Sequence, residues 1–380
     1  MELNTLAELE KRGIDDPQKI EAFLSENTFP LLEGTKVTFA YRDHADEVLL
    51  RHWIYGLPAE QPFERVPGTD LWLLTMEIPE GSRVEYKLEV AQGNARRLIQ
   101  DPLNPNLATD PYGANSVVHA TGYEDPWWAV ADPEARGGSI QEMQFVSDVF
   151  NGPRPLSVYL PARFREDRRY PLLVMHDGSD FLRFTELKTV LDNLIHRLEI
   201  PPMIVALTDS PNRIEEYAGN DKHARFIAEE LVPVLEEKFP LIEGPSAKAL
   251  AGASFGAVAS LHASWRHQNV FDRLLLLSGS FAFTDIGNEH DRGPLFDPVV
   301  DFGIEFRKNP GKPAKSVYLA CGTYESLIYY NRSMLPLLQS IGMTVKYTEA
   351  RDGHNWENWR DRLREGLSWL FPGPLWMVYE

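Results

Sequence analysis

The chain has 380 residues, more than one ordinary core holds, and at about 100 to 200 residues per domain it suggests two or three domains, with two as the starting count. Hydrophobic residues make up 43% and charged residues 25%, a globular balance that excludes disordered, fibrous and coiled-coil classes. Asp and Glu number 56 against 38 Lys and Arg, a formal charge of −18 that repels nucleic-acid phosphates and anionic membrane surfaces, so neither is expected as a partner.

The single cysteine, Cys321, excludes an internal disulfide and a cysteine-rich metal site. The start, MELNTLAELEKRGIDDPQK, lacks the apolar stretch of a signal peptide, and no run approaches about 18 apolar residues, so a soluble, cytoplasmic protein is expected. Asp16-Pro17 reads as an N-cap and first helical residue, with Ile20, Phe23 and Leu24 at helical spacing, giving a leading helix that ends near Asn27. From residue 35 to about 118 the pattern becomes short alternating runs, VTFAYR, VLLRHWIY, LWLLTMEI, VEYKLEV and RRLIQ, parted by Pro- and Gly-bearing turns. That predicts an all-β sandwich. A polar stretch follows with Pro126, Pro133, Gly137 and Gly138, which reads as a linker.

Beyond it, apolar runs at 156–160, 172–175, 203–207, 248–251, 274–277, 317–321 and 345–347 alternate with helical patterns at 186–197, 224–239, 255–267, 329–341 and 356–370. This predicts a mostly parallel sheet covered by helices on both faces. The expected division is a leading helical segment at 1–28, a sandwich at 29–125, a linker at 126–139 and an α/β catalytic domain at 140–380. Chemistry in such sheets sits at the carboxyl ends of the strands.

Gly252-Ala253-Ser254-Phe255-Gly256 fits G-x-S-x-G between a strand and a helix, the context of a nucleophile elbow. The two glycines suit a turn in which the chain comes close to itself, and the following helix aims its positive end at the serine. A serine needs a base. His354, in the loop between the last strand and the last helix, is the candidate, with His176 and His290 as competitors. The acid is expected at Glu325, directly after the strand at 317–321, with Asp285, Asp291, Asp297 and Asp301 as substitutes. Ser254, Glu325, His354 follows the hydrolase chain order. The oxyanion hole should combine the N–H of Phe255 with that of Ser179, in the HDGSD loop at 176–180. His176 and Asp177 of that loop are candidates for substrate contact or loop anchoring.

The segments PLSVYLP, YPLLVMHDGSDF, AGASFGA, LACGTYESLI and DGHNWENWR resemble, in this order over roughly residues 140–372, the enterochelin esterase and feruloyl esterase group of the esterase D type. The front resembles the immunoglobulin-like early-set domain that precedes the hydrolase in enterochelin esterases. The resemblance implies an α/β hydrolase behind an immunoglobulin-like sandwich, hydrolysing a small-molecule ester through an acyl-enzyme without metal or organic cofactor. It carries the nucleophile to Ser254, the histidine to His354 and the acid to Glu325, where feruloyl relatives have aspartate, and makes Arg213 a pocket candidate. A strongly anionic siderophore would need Arg163, Arg183 or Arg213 in the pocket, whereas a neutral feruloyl or acetyl ester on a sugar would not. Trp53 and Trp72 read as core or as a sugar platform, the latter leaving an inactive glycan-binding protein as the competing class. Segment 281–312 reads as a loop-rich cap, and the apolar tail at 375–379 as packing on its own domain or as a homo-oligomer contact.

Overall fold

The computed structural model describes residues 17–283 and 295–374, so His290, Asp285, Asp291 and the tail at 375–379 lie outside the described residues. The chain forms two units. The first comprises residues up to Asp125 together with Thr323–Glu325 and Ala350–Asn355; the second holds the rest.

In the first unit, one sheet has the order β1 (Leu31–Glu33), β2 (Lys36–Arg42), β6 (Leu71–Glu77), β5 (Glu64–Arg65). The other runs β4 (Glu60–Pro62), β3 (Glu47–His52), β7 (Arg83–Gln92), β10 (Gly113–His119), β9 (Leu107–Asp110), with β8 (Ala95–Ile99) also on β7. Neighbouring strands are antiparallel. Alternation decides the faces: Val84, Tyr86, Leu88 and Val90 of β7 are buried against Val37, Phe39, Val48 and Trp72, the period of two that a half-buried strand requires. The helix Pro17–Glu26 closes one side by burying Ile20 and Phe23 with Phe29, Leu31 and Leu71.

The second unit is built on an eight-stranded sheet. Its order is β11 (Ser139–Ser147), β12 (Gly152–Leu160), β14 (Ile204–Thr208), β13 (Leu172–His176), β15 (Lys248–Ala253), β16 (Arg273–Leu277), β17 (Ser316–Gly322), β18 (Thr344–Ala350). From β14 to β17 the pairings are parallel, while β11 and β12 run antiparallel at one edge. Successive residues serve opposite faces: Leu172 and Val174 enter one core, Leu173 and Met175 the other. Both faces are thus covered, and the strands read as unbroken apolar runs. This is the α/β-hydrolase architecture, preceded by an all-β sandwich.

Three details differ from the sequence expectation. The stretch expected as a linker is docked on the hydrolase: Trp127–Ala129 forms a 3₁₀ turn, Asn193 Nδ2 donates to the Trp128 and Val130 carbonyls at 2.9 and 2.7 Å, and the Arg197 guanidinium lies 4.2 Å from the Trp127 ring. The helical pattern at 224–239 holds a π-helical turn at Phe226–Leu231 before Val232–Lys238, where Pro233 lacks the N–H that regular helical pairing needs. Within the expected cap, Asp297–Lys308 is a helix that buries Val299, Val300, Phe302 and Phe306. Among the described residues no helix is long and apolar enough to cross a membrane.

Candidate active site

In the hydrolase unit, β15 ends at Ala253 and the helix Phe255–Arg266 begins two residues later, with Ser254 between them. Ser254 has φ 57° and ψ −120°, a conformation costing roughly 1 to 3 kcal/mol that persists only where the surroundings impose it. They do: Ser254 N–H donates to the Leu277 carbonyl of β16 at 2.9 Å. A Cβ on Gly252 would lie 2.4 Å from the carbonyl carbon of Gly256, so the first glycine of the motif is required by close approach and not by its own φ. Ser254 Oγ is 3.3 Å from Ser280 Oγ. Ser280 lies in the loop after β16, where Asn331 brackets Gly279 by accepting its N–H at 3.1 Å and donating to its carbonyl at 2.9 Å. The sequence held a hint of Ser280 in its place just past a strand end.

Behind the elbow, His176 is fully buried, which corrects its expected contact with substrate: a ring with no exposed surface serves the core. Its Nδ1 lies 3.1 Å from the Ala251 carbonyl and 3.0 Å from Ser260 Oγ, and its Nε2 is 3.0 Å from His223 Nε2. His223 Nδ1 faces Glu216 at 3.5 Å, and Glu216 accepts from Arg154 at 2.8 Å. Burial lowers the pKa of both imidazoles, with Glu216 opposing it at His223.

Asp177 and Arg213 form a two-pronged ion pair, with Nε and Nη2 each 2.7 Å from a carboxylate oxygen. Burial pushes the Asp177 carboxyl up while the guanidinium opposes the rise. Asp177 is thereby the anchor of its loop, and Arg213 neutralises it. Gly178 does not begin an open loop as expected but opens the helix Gly178–Phe184, where a Cβ would lie 2.5 Å from Leu207 Cβ. The expected second oxyanion donor is also corrected: Ser179 N–H is given to Asp209 Oδ1 at 3.2 Å, and its hydroxyl donates to the same oxygen at 2.9 Å. Phe255, first residue of its helix, has an amide of the kind that finds no partner inside a helix.

Arg163 follows β12, which runs antiparallel to β14, so it lies off the sheet edge opposite Ser254. Arg183 lies in the last turn of its short helix with its guanidinium 4.9 Å from the Phe184 ring. Of the other acid candidates, Asp297 and Asp301 lie in the helix Asp297–Lys308.

The remaining candidates belong to the first unit. His354 Nδ1 is 2.7 Å from Glu325 Oε2, and Glu325 is buried. A carboxylate accepts at that distance, so Nδ1 carries the proton of this bond. Backbone hydrogen bonds join the two loops: Thr323 N–H to the Ala350 carbonyl at 2.7 Å and Tyr324 N–H to that of Asp352 at 3.1 Å. Of the two tryptophans considered as a platform, Trp72 is core, with its indole N–H on the Asp43 carbonyl, while Trp53 is 58% exposed.

The iron(III) enterobactin esterase of Escherichia coli (strain K12) is 24% identical to this chain over 375 residues, covering 88% of the chain and 91% of that protein. A crystal structure of ferric enterobactin esterase from Salmonella typhimurium matches with a TM-score of 0.75 at 20% identity, over 92% of this chain and 98% of that one. A ferulic acid esterase structure matches at 0.54 and 20% identity, over 62% of this chain and 99% of that one. At these identities the structural likenesses establish the fold. The activity rests on the family: residues 147–370, more than half of the chain, match the "Putative esterase" family. The chain belongs to this esterase family and is a carboxylic ester hydrolase.

Proposed function

We propose that the chain hydrolyses its ester through a Ser-His-Glu triad and an acyl-enzyme, with Ser254 as nucleophile, His354 as general base and acid, and Glu325 as the carboxylate that orients the histidine. The observation that carries this reading is the backbone of Ser254, held at φ 57° and ψ −120° on a strand-to-helix turn. Supporting it, Glu325 and His354 form the carboxylate–imidazole half of such a triad at 2.7 Å. His354 Nε2 takes the Ser254 proton as Oγ attacks the carbonyl carbon, and the Phe255 N–H receives the developing oxyanion, a contact worth on the order of 10² to 10³ in rate. The protonated imidazole then passes its proton to the departing alcohol, and water repeats the cycle on the acyl-enzyme.

For the substrate, the proposal is a siderophore-type ester. Its support is extent: the enterobactin esterase matches run through sandwich and hydrolase alike, whereas the ferulic acid esterase match covers 62% of this chain. One observation favours a neutral aryl or acetyl ester on a carbohydrate instead, namely that Arg213, the candidate for meeting an anionic ligand, is already paired with Asp177. The test is a panel of siderophore, feruloyl, acetyl-sugar and nitrophenyl esters compared by kcat/KM, with Ser254→Ala alongside. Loss of kcat by about 10⁶-fold in a folded Ser254→Ala chain is expected. Unchanged turnover in that variant sinks the triad, and a higher kcat/KM on ferulate than on the siderophore replaces the substrate.

A further inference from the structure

The loops that carry Glu325 and His354 are both fastened to the sandwich. Tyr324, beside Glu325, packs against the sandwich core; its carbonyl accepts the Tyr55 N–H at 2.8 Å and its hydroxyl is 2.6 Å from Ser82 Oγ. The histidine loop hangs on Arg83, the first residue of β7. Arg83 N–H donates to the Arg351 carbonyl at 2.9 Å. Its Nη1 donates to Asn355 Oδ1 at 3.0 Å and to Asp352 Oδ1 at 3.3 Å, and its Nη2 to Glu85 at 3.0 Å. Asp352 Oδ1 also accepts the Gly353 N–H at 2.7 Å and the Asn355 Nδ2–H at 2.8 Å. The residues on both sides of His354 are therefore tied to one guanidinium that is 1% exposed.

Such a burial is costly unless charge and hydrogen bonds are matched, and here two carboxylates and an amide take up its two terminal nitrogens. The planar fork fixes direction as well as distance, because Nη1 meets Asp352 and Asn355 while Nη2 meets Glu85, which a lysine ammonium does not do in one geometry. A glycine-bearing loop gains from this a single conformation.

We propose that Arg83 is a positioning residue for the reaction: through Asp352 and Asn355 it sets the loop that presents His354, so that the sandwich forms part of the catalytic apparatus. The proposal rests on His354 being the base. It requires that disturbing the clamp lowers turnover per active site, where a merely cohesive role would only lower the number of folded sites.

The experiment uses the full chain with Arg83→Met, Arg83→Lys and Asn355→Ala. Each variant is titrated to its end point with a fluorophosphonate at Ser254, and kcat per labelled site and KM are measured on a nitrophenyl ester. A misplaced base is expected to lower kcat per site by about 10²-fold in Arg83→Met, with KM held within about twofold. Arg83→Lys keeps the charge and is expected to recover part of the loss, to about 10-fold below wild type. Asn355→Ala leaves the buried charges paired, should fold even if Arg83→Met does not, and is expected to lose about 10-fold. Wild-type kcat per site in Asn355→Ala and Arg83→Lys, with activity falling only as labelled sites fall, overturns the proposal while leaving the triad standing. A wild-type chain that does not label at Ser254 overturns the triad itself, and the proposal with it.

Discussion

The turn that carries Ser254 and the loops that carry Glu325 and His354 are held by different physics. Ser254 is fixed by its backbone: a positive φ, an N–H given to Leu277 and a glycine contact too close for any Cβ. His354 is fixed by side chains, with Glu325 on its ring and the Arg83 cluster on the residues beside it. Under the proposed triad, a nucleophile needs strain so that its hydroxyl stands clear of the chain. A base needs orientation and one tautomer, which hydrogen bonds supply. The contrast predicts which substitutions each region tolerates.

The largest effect short of removing the Ser254 hydroxyl tests the side-chain half. Glu325→Gln keeps the size and burial of the acid but removes the charge that faces His354 Nδ1. Its amide nitrogen offers that ring a donor in place of an acceptor, favouring the wrong tautomer, so kcat should fall by about 10⁴-fold. Measured on a nitrophenyl ester, a loss under about 10-fold would move the role of acid to another carboxylate.

Two glycines sharpen the backbone half. Gly252→Ala places a Cβ 2.4 Å from Gly256, so the elbow must open. A loss of about 10² in kcat and about 3 kcal/mol in unfolding free energy is expected. Gly353, next to His354, has no such constraint: the nearest atom to its Cβ is Asn355 Nδ2 at 3.5 Å. Gly353→Ala should stay within about 0.5 kcal/mol of wild type in denaturant unfolding. Equal losses at both sites would show that the histidine loop is also under backbone strain.

The same contrast explains what could be read from the chain. The elbow was legible because strand, serine, two glycines and helix lie within about twenty consecutive residues, and the sandwich because alternation along β7 is local. The Arg83 clamp joins residues 269 and 272 positions apart, and nothing in the RVEYKLEV pattern marks its first residue as other than a surface arginine. The burial of His176 is hidden for a related reason: a histidine at a strand end looks exposed until the helices over it are placed. The helix Asp297–Lys308 was hidden because Pro298 and Gly303 interrupt its apolar stripe. Ser179 stands where an oxyanion donor was expected, and only the fold brings the Asp209 carboxylate to its amide.

The smallest expected effect separates the two units by pH. The hydrolase unit buries His176, His223 and His262, whose imidazoles burial lowers, His262 to about 4 despite the opposing Asp221 carboxylate. An unfolded histidine takes up its proton near 6.5. Below that pH the unfolded unit binds more protons than the folded one, so stability is complete above about 6.5 and declines as pH falls toward the folded values, by at most about 1.4 kcal/mol per pH unit for each histidine. Asp177 and Asp180, raised by burial, oppose this as two groups against three. In the sandwich unit burial lowers His52 but raises Asp101, and the two contributions have opposite signs. Hydrogen exchange corrected for intrinsic rates at about pH 7.5 and 5 should therefore show β13 and β15 losing more protection than β7 as the medium turns acid. His262→Gln should reduce the loss in the hydrolase strands by about 1 kcal/mol. Equal loss in both units, or no effect of that substitution, would mean that the buried imidazoles do not govern the acid response.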